Sequence, residues 1–205
     1  IGLAATWNPD LAYQFGRVTA YETRASGLHW NFSPVLDLGR SPLWSRHFET
    51  LGEDPYLVST MGSAISRGYQ GDSIGSYGVA ACLKHFVGYS APLSGRDRTP
   101  AWIPQKYMSE LYLPPFKKAV EEGALTLMIN SGVLNGIPGH INKELLTHTL
   151  KEDWGFRGFT VSDWEDFIML HTVHCVAENI YDAVVQGFNA GVDMSMVPYS
   201  PQYKE

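Results

Sequence analysis

The residues best suited to chemistry are Asp163 and Trp164, which belong to a Ser-Asp-Trp triplet directly after a short apolar, β-prone run over 159–161. Such a run predicts a parallel strand covered on both faces, and the residues just past its end face the open edge of the sheet. A carboxylate beside an indole at this edge suits chemistry on a sugar. The same residues leave a structural alternative open, in which Asp163 caps the next helix and Trp164 packs at the rim.

Lys84 and His85 end a second predicted strand and complement a reactive carboxylate. A carboxylate nucleophile must stay ionised at neutral pH, and a nearby ammonium group favours its charged form. Lys84 and His85 can also donate hydrogen bonds to hydroxyls, and Arg46 offers a rigid fork of donors. A Lys-His pair by itself is more often ordinary surface, so the hypothesis of a sugar site depends on combining the pair with Asp163.

Hydrophobic periodicity and helix caps predict the elements that position these residues. Asn8-Pro9 and Asp54-Pro55 each combine an N-cap side chain with proline at the first helical position. We expect helices from Asn8 to Gly27, from Asp54 to Gly71, over 106–122 with an interruption at Pro114-Pro115, from about Asn142 to Gly155 and over 176–189. The apolar face predicted for the first helix comprises Leu11, Ala12, Phe15, Val18 and Thr19. Strands are predicted over 28–38, 78–86, 124–129, 159–162 and 192–196.

Alternating strands and helices predict an α/β fold with a parallel sheet. A doubly wound nucleotide-binding sheet would carry a Gly-x-Gly-x-x-Gly or Walker loop, and the sequence has neither. Functional groups at the ends of many strands are typical of a (β/α)8 barrel. About five predicted strands therefore indicate an incomplete (β/α)8 TIM-type barrel, and we expect the 205 residues to be part of a larger barrel. The polar strand ends are Lys84-His85, Asn130-Ser131, Asp163-Trp164 and Asp193.

Composition excludes several other classes of protein. The net charge is −6 and Lys and Arg form no runs, so nucleic acid is not an expected partner. No apolar stretch approaches the roughly 20 residues of a membrane span. Cys82 and Cys175 form neither a disulfide framework nor a zinc pattern. We predict that the protein needs no metal and no organic cofactor.

One loop, over 87–104, is longer than ordinary connections, and such loops tend to be functional. Arg96 and Arg98 lie in it and are weaker candidates for contacts with substrate or with another domain. Salt bridges within the loop are the competing interpretation.

Taken together and in order, the motifs of the chain resemble those of glycoside hydrolase family 3, the β-glucosidase-like enzymes. The resemblance extends over essentially all of the sequence. The motifs that carry it are Pro34-Val35-Leu36-Asp37, Gly39-Arg40-Ser41-Pro42-Leu43-Trp44-Ser45-Arg46, Lys84-His85-Phe86, Asn135-Gly136-Ile137-Pro138 with His140, and Trp154-Gly155-Phe156-Arg157-Gly158 leading to Ser162-Asp163-Trp164.

The resemblance implies a retaining, exo-acting β-glucosidase whose substrate is a β-glucoside or small oligosaccharide. Asp163 would be the nucleophile that forms a glycosyl-enzyme ester. The alternatives are a β-xylosidase or β-N-acetylglucosaminidase of the same family, or a non-catalytic carbohydrate-binding relative. The loop over 88–98 has no histidine, which disfavours the N-acetylglucosaminidase alternative. The residues implied to hold the sugar are Arg46, Lys84 and His85, with Trp164 as a wall and Met128 lining the same pocket.

The chain also departs from the family pattern. Many relatives have a tyrosine after the strand that contains Met128, whereas this chain has Asn130-Ser131-Gly132. The acid/base Glu of such enzymes belongs to a second domain, and a sugar-binding Asp would precede Ile1. We therefore expect 1–205 to be a partial barrel domain that is inactive without the remaining domains of its polypeptide. Relatives of this kind imply a secreted, periplasmic or lysosomal location.

Overall fold

The computed structural model describes residues 2–197, which form a curved sheet of five parallel strands with flanking helices. The sheet order is β1-β2-β3-β6-β7, so neighbouring strands follow one another along the chain except for a small hairpin. This arrangement confirms the predicted α/β half barrel. The strands are β1 (Trp30–Asn31), β2 (Ala80–Phe86), β3 (Thr126–Ile129), the hairpin strands β4 (Val133–Leu134) and β5 (Ile137–Pro138), β6 (Phe159–Trp164) and β7 (Met194–Met196).

The register of the sheet brings the ends of its central strands together. Met128 of β3 pairs with Val161 of β6, and Cys82 of β2 pairs with Thr126 of β3. Because the strands are parallel, the polar residues that follow β3 and those that end β2 and β6 meet at one edge.

Asp193 does not belong to that edge, and its prediction as a polar strand end is wrong. It precedes β7, at the opposite end of the strand. Its carboxylate accepts a hydrogen bond from the Thr160 backbone N–H at 2.8 Å and pairs with Lys151 at 2.6 Å. Asp193 therefore joins the beginning of β7 to β6 and to the helical segment that contains Lys151.

The helices begin largely where their caps predict. The side chains of Asn8 and Asp54 accept the backbone N–H groups of Leu11 and Leu57 at 3.1 and 2.8 Å. The interruption expected at Pro114-Pro115 occurs as a π-helical turn just before the two prolines. Proline has no backbone N–H to donate, so the regular helical hydrogen bonds cannot continue through this pair. The helices are α1 (Pro9–Ala25), α2 (Pro55–Gln70), α3 (Gln105–Tyr107) continuing through the π-helical turn Met108–Tyr112 into α4 (Leu113–Glu121), a π-helical segment Glu144–Asp153, α5 (Asp166–Thr172) and α6 (Ile180–Ala190).

The predicted apolar face of α1 is wrong. The helix buries a row of small residues, Ala12, Gly16 and Ala20, whereas Phe15 and Val18 are 48 % and 59 % exposed. A side chain on Gly16 would place its Cβ 2.6 Å from the Ile65 carbonyl oxygen of α2. The two helices approach so closely that only small residues fit between them, and the larger apolar residues face outward.

The core lies on both faces of the sheet. Phe86, Leu127 and Ile129 pack among the helices, whereas Cys82, Met128 and Val161 form a smaller cluster. Cys82 is a buried free thiol. Within residues 2–197, no helix is long and apolar enough to cross a membrane.

Candidate active site

Asp163 lies at the carboxyl edge of the sheet and is 9 % exposed. It follows Val161 by two residues, so both side chains project from the same face of β6. Its Oδ1 accepts the Trp164 backbone N–H at 2.6 Å, and its Oδ2 accepts the Ser131 hydroxyl at 2.9 Å. The alternative in which Asp163 caps the next helix is wrong, because Glu165 is the N-cap residue of α5.

The surroundings of Asp163 favour its ionised form. Arg98 Nη2 lies 3.6 Å from Oδ1, and His85 Nε2 lies 3.9 Å from Oδ2. Burial would raise the pKa of Asp163, but His85, the two hydrogen-bond donors and Arg98 together hold that pKa below its usual value. The group is thus an anion that is accessible only from the open side of the site.

The Lys-His pair is held in place by Asp37, which contacts His85 on the side away from Asp163. Asp37 Oδ2 lies 2.8 Å from His85 Nδ1 and also accepts the His85 backbone N–H at 3.0 Å. This contact fixes the imidazole with Nε2 toward Asp163. Burial, helped by the charge of Arg46, lowers the pKa of Lys84. The structure therefore places Lys84 and His85 beside Asp163.

Arg46 lies on the Lys84 side of the site, and two of its nitrogens donate hydrogen bonds to Glu49. Its Nε and Nη2 donate to the two carboxylate oxygens of Glu49 at 2.6 and 2.9 Å. The guanidinium also lies 5.6 Å from the ring centroid of Tyr89. Tyr89 donates its hydroxyl to Asp97 at 2.8 Å, a hydrogen bond within the long loop that holds the ring in place.

Trp164 and Met128 occupy different levels of the site. Trp164 ends β6 and is 45 % exposed at the rim of the site. Met128 is buried and packs with Cys82 and Val161, in the layer beneath Asp163 and Lys84. Met128 therefore belongs to the floor below the carboxylate.

Sequence reasoning gave too little weight to three residues of this site. Arg98, a weaker candidate from the long loop, contacts both Asp163 and Asp166, whereas Arg96 is exposed. Ser131 was predicted only as part of a polar strand end and as a departure from a tyrosine, yet its hydroxyl lies between the two carboxyls. The spacing of Asp163 and Asp166 by three residues around a strand end was the available signal for the second carboxyl.

His140 is a fourth contact that sequence reasoning did not predict. Its Nε2 accepts the Asp163 backbone N–H at 3.3 Å and lies 3.5 Å from Asp166 Oδ2. Burial lowers the pKa of His140 to about 3, so its imidazole is neutral at ordinary pH.

Comparison with curated proteins finds β-glycosidases along nearly the whole chain. A lysosomal β-glucosidase of Dictyostelium discoideum is 45 % identical over 96 % of the chain and 25 % of its own length. A β-xylosidase of Formosa agariphila is 40 % identical over 96 % of the chain and 28 % of its length. A periplasmic β-glucosidase of Salmonella typhimurium is 37 % identical over 96 % and 26 %. The chain thus spans about a quarter of the length of these relatives.

Solved structures share the fold. A β-glucosidase involved in saponin metabolism from intestinal bacteria superposes with a TM-score of 0.95 at 36 % identity, over 98 % of this chain and 27 % of that one. A Listeria innocua β-glucosidase in complex with glucose superposes with a TM-score of 0.92 at 34 % identity, over 96 % and 28 %. Residues 1–205 match the N-terminal domain of glycosyl hydrolase family 3, and the chain belongs to that family.

Proposed function

We propose that this chain carries the nucleophile and part of the sugar-binding pocket of a retaining, exo-acting β-glucosidase. The observation that carries the proposal is Asp163, a carboxylate kept ionised at the open edge of the sheet by donors on several sides. A nucleophile of this kind must be anionic before it attacks and must be reachable by substrate. The β-glucosidases among the relatives support the same reaction class.

The reaction has two steps. A carboxylic acid protonates the glycosidic oxygen while an oxygen of Asp163 bonds to the anomeric carbon, and the aglycone leaves as an alcohol. The same acid, now a carboxylate, then removes a proton from water. The resulting oxygen attacks the anomeric carbon, breaks the ester bond and regenerates Asp163 with the β configuration retained.

The remaining predicted residues hold the sugar during these steps. Lys84 and His85 donate to its ring hydroxyls next to the nucleophile, and Arg46 adds donors beside Glu49. Trp164 supplies an apolar face at the rim, and Met128 supports the floor. Hydrogen bonds to hydroxyls that strengthen as positive charge develops on the ring contribute several kcal/mol.

The acid/base carboxyl is proposed to come from another domain of the same polypeptide. The relatives are about four times longer than this chain, which leaves room for such a domain. The proposed substrate is a β-glucoside or small oligosaccharide, in line with the glucose and laminaribiose complexes of the Listeria enzyme. The lysosomal and periplasmic relatives support a location in a lysosome, in the periplasm or outside the cell.

The test is to trap the intermediate on the full-length protein with an activated 2-fluoro-β-glucoside. We expect one glycosyl group on the peptide that contains Asp163, and mass spectrometry of a digest locates it. Asp163→Ala should lower kcat by roughly a thousandfold or more while leaving the far-ultraviolet circular dichroism unchanged. Label on any other residue, or an active variant, would contradict the proposal.

The same assay with the matching xyloside separates the two activities found among the relatives. A β-glucosidase should have the higher kcat/KM on the glucoside. A preference for the xyloside would assign this chain to the activity of its Formosa relative. Binding of sugar without turnover by the unaltered full-length protein would instead favour a non-catalytic carbohydrate-binding role.

A further inference from the structure

The hydroxyl of Ser131 stands between two buried carboxyls. Its Oγ lies 2.9 Å from Asp163 Oδ2 and 2.6 Å from Asp166 Oδ2. A hydroxyl has one proton and can donate it to only one of these oxygens. The other contact is a hydrogen bond only if the second partner brings a proton of its own. One group in this cluster must therefore be a protonated acid.

Asp163 and His140 do not fit that role. Asp163 accepts the Trp164 N–H at 2.6 Å and faces Arg98 and His85, all of which favour a carboxylate. His140 uses Nε2, the atom nearest Asp166, to accept the Asp163 backbone N–H. A nitrogen that accepts there carries no proton.

Asp166 fits the role of the protonated acid. It is 1 % exposed, and burial together with the charge of Asp163 raises its pKa to about 7, although Ser131 and Arg98 oppose the rise. Its Oδ2 lies 2.6 Å from Ser131 Oγ, which can accept a proton, and His140 Nε2 at 3.5 Å has no proton to donate to it. The distances and the burial thus agree on the position of the proton.

We propose that Asp166 is a neutral carboxylic acid that positions the nucleophile through Ser131. The Asp166 hydroxyl donates to Ser131 Oγ, and the Ser131 hydroxyl donates to Asp163 Oδ2. This inference rests on the proposed function of Asp163. The chain of hydrogen bonds directs the only Ser131 proton at the nucleophile and keeps a second negative charge away from it. It also stabilises Asp163 when that group leaves as a carboxylate in the second step.

A competing role for Asp166 is that of the acid/base catalyst. One hydroxyl contacts the two carboxyls at 2.9 and 2.6 Å, so their Oδ2 atoms cannot lie farther apart than the roughly 5–5.5 Å typical of retaining enzymes. An acid/base group must, however, reach the glycosidic oxygen and then a water molecule. Asp166 is less exposed than Asp163 itself and is enclosed by Ser131, His140 and Arg98. Its burial favours the positioning role.

The decisive comparison uses Ser131→Ala, Asp166→Asn and the double variant in the full-length protein, with exposed Asp153→Asn as the matched control. Ser131→Ala removes one hydrogen bond to a charged group and should slow glycosylation of Asp163 by about 10- to 100-fold. The amide of Asp166→Asn can still donate to Ser131, so its loss should stay within about tenfold. Adding Asp166→Asn to Ser131→Ala should cost little more, because the link is already broken.

Substrate choice separates the two roles of Asp166. If Asp166 were the acid/base group, Asp166→Asn would nearly abolish turnover of alkyl glucosides, and azide would restore turnover of activated aryl glucosides. That result would overturn the proposal, as would independent, multiplicative losses for Ser131→Ala and Asp166→Asn. Failure to trap a glycosyl group on Asp163 in the unaltered protein would instead overturn the proposed function on which this inference rests.

Stability against pH tests the proton on Asp166 without reference to activity. In the unfolded chain this group ionises near its ordinary pKa of 3.8, whereas in the folded protein its pKa is raised to about 7. The native state therefore holds a proton that the unfolded state releases, and stability falls as pH rises between these values. Asp166→Asn removes this loss. Asp163, His140 and Arg98 face this position in both proteins, and His85 lies next to Asp163.

We expect the urea midpoint of Asp166→Asn to rise relative to the unaltered protein from about pH 4 to about pH 7. Asp153→Asn should show no such trend, because Asp153 is exposed. A constant difference between Asp166→Asn and the unaltered protein over this range would mean that Asp166 is ionised in the native state, and the proposal would fail.

Discussion

Arg98 connects the long loop to both carboxyls of the site. Its two terminal nitrogens lie 3.6 Å from Asp163 and 3.4 Å from Asp166. Its backbone has φ of 59°, a left-handed conformation that costs of order 1–3 kcal/mol for a residue other than glycine. The loop thus adopts an unfavourable backbone conformation at the residue whose guanidinium reaches the nucleophile. Its position indicates an electrostatic role in keeping Asp163 ionised.

Replacing Arg98 by Met should raise the pKa of Asp163, because one of the charges that favour the carboxylate is removed. The acid limb of the pH profile of kcat/KM, measured on the full-length protein, should therefore shift to higher pH by about one unit. Arg96→Met is the matched control, since Arg96 lies two residues earlier in the same loop but is exposed. Equal profiles for the two variants would show that Arg98 does not tune the nucleophile.

The position of Asp163 could be predicted from sequence because its signal is local. A strand, a carboxylate and an indole are adjacent in the chain. Once the end of β6 is predicted correctly, the position of Asp163 at the edge of the sheet follows. Arg98 and Ser131 could not be assigned in this way. Their contacts with Asp163 join residues 65 and 32 positions apart, and they depend on the backbone path of the loops that follow β2 and β3.

At the scale of elements, capping residues were better guides than apolar periodicity. Asn8 and Asp54 fix the beginnings of α1 and α2 by hydrogen bonds made within the first turn. Periodicity identified the helix over α1 but selected the wrong face, because it gives weight to large apolar residues. The face of α1 that packs on α2 is determined by how closely the two helix backbones approach. This distance depends on both helices, so the sequence of α1 alone does not reveal it.

Gly68→Ala should destabilise the protein by about 1–3 kcal/mol through overpacking. A Cβ on Gly68 would collide with the Tyr13 carbonyl of α1 and lie 2.9 Å from Gly16 Cα. Neither contact can be relieved by a side-chain rotation, because both atoms belong to the backbone. Chemical denaturation measures the change.

Gly75→Ala is the control for that measurement. A Cβ at Gly75 would meet nothing within 4 Å, so the variant should stay within about 0.5 kcal/mol of the unaltered protein. Equal stabilities for the two variants would mean that α1 and α2 can move apart at little cost.

At the scale of the whole molecule, the described residues form only part of a closed barrel. Their sheet has β1 and β7 as its outermost strands, whereas a (β/α)8 barrel closes eight strands on one another. The large apolar residues Leu11, Phe15 and Val18 also face outward from α1. Both features fit a chain that spans about a quarter of the length of its relatives. We therefore propose that other parts of the polypeptide complete the site.

Residues 1–205 expressed alone should fold in part but should not turn over an aryl β-glucoside, whereas the full-length protein should. The physical reason is the missing second carboxyl. Asp166 is too buried to reach a leaving group. Glu165 is the N-cap residue of α5, with a left-handed backbone conformation. Release of the chromogenic aglycone measures turnover, with full-length Asp163→Ala as the inactive reference. Turnover by the isolated chain well above that reference would place the acid/base group within these residues, and Asp166 would then be the first position to examine.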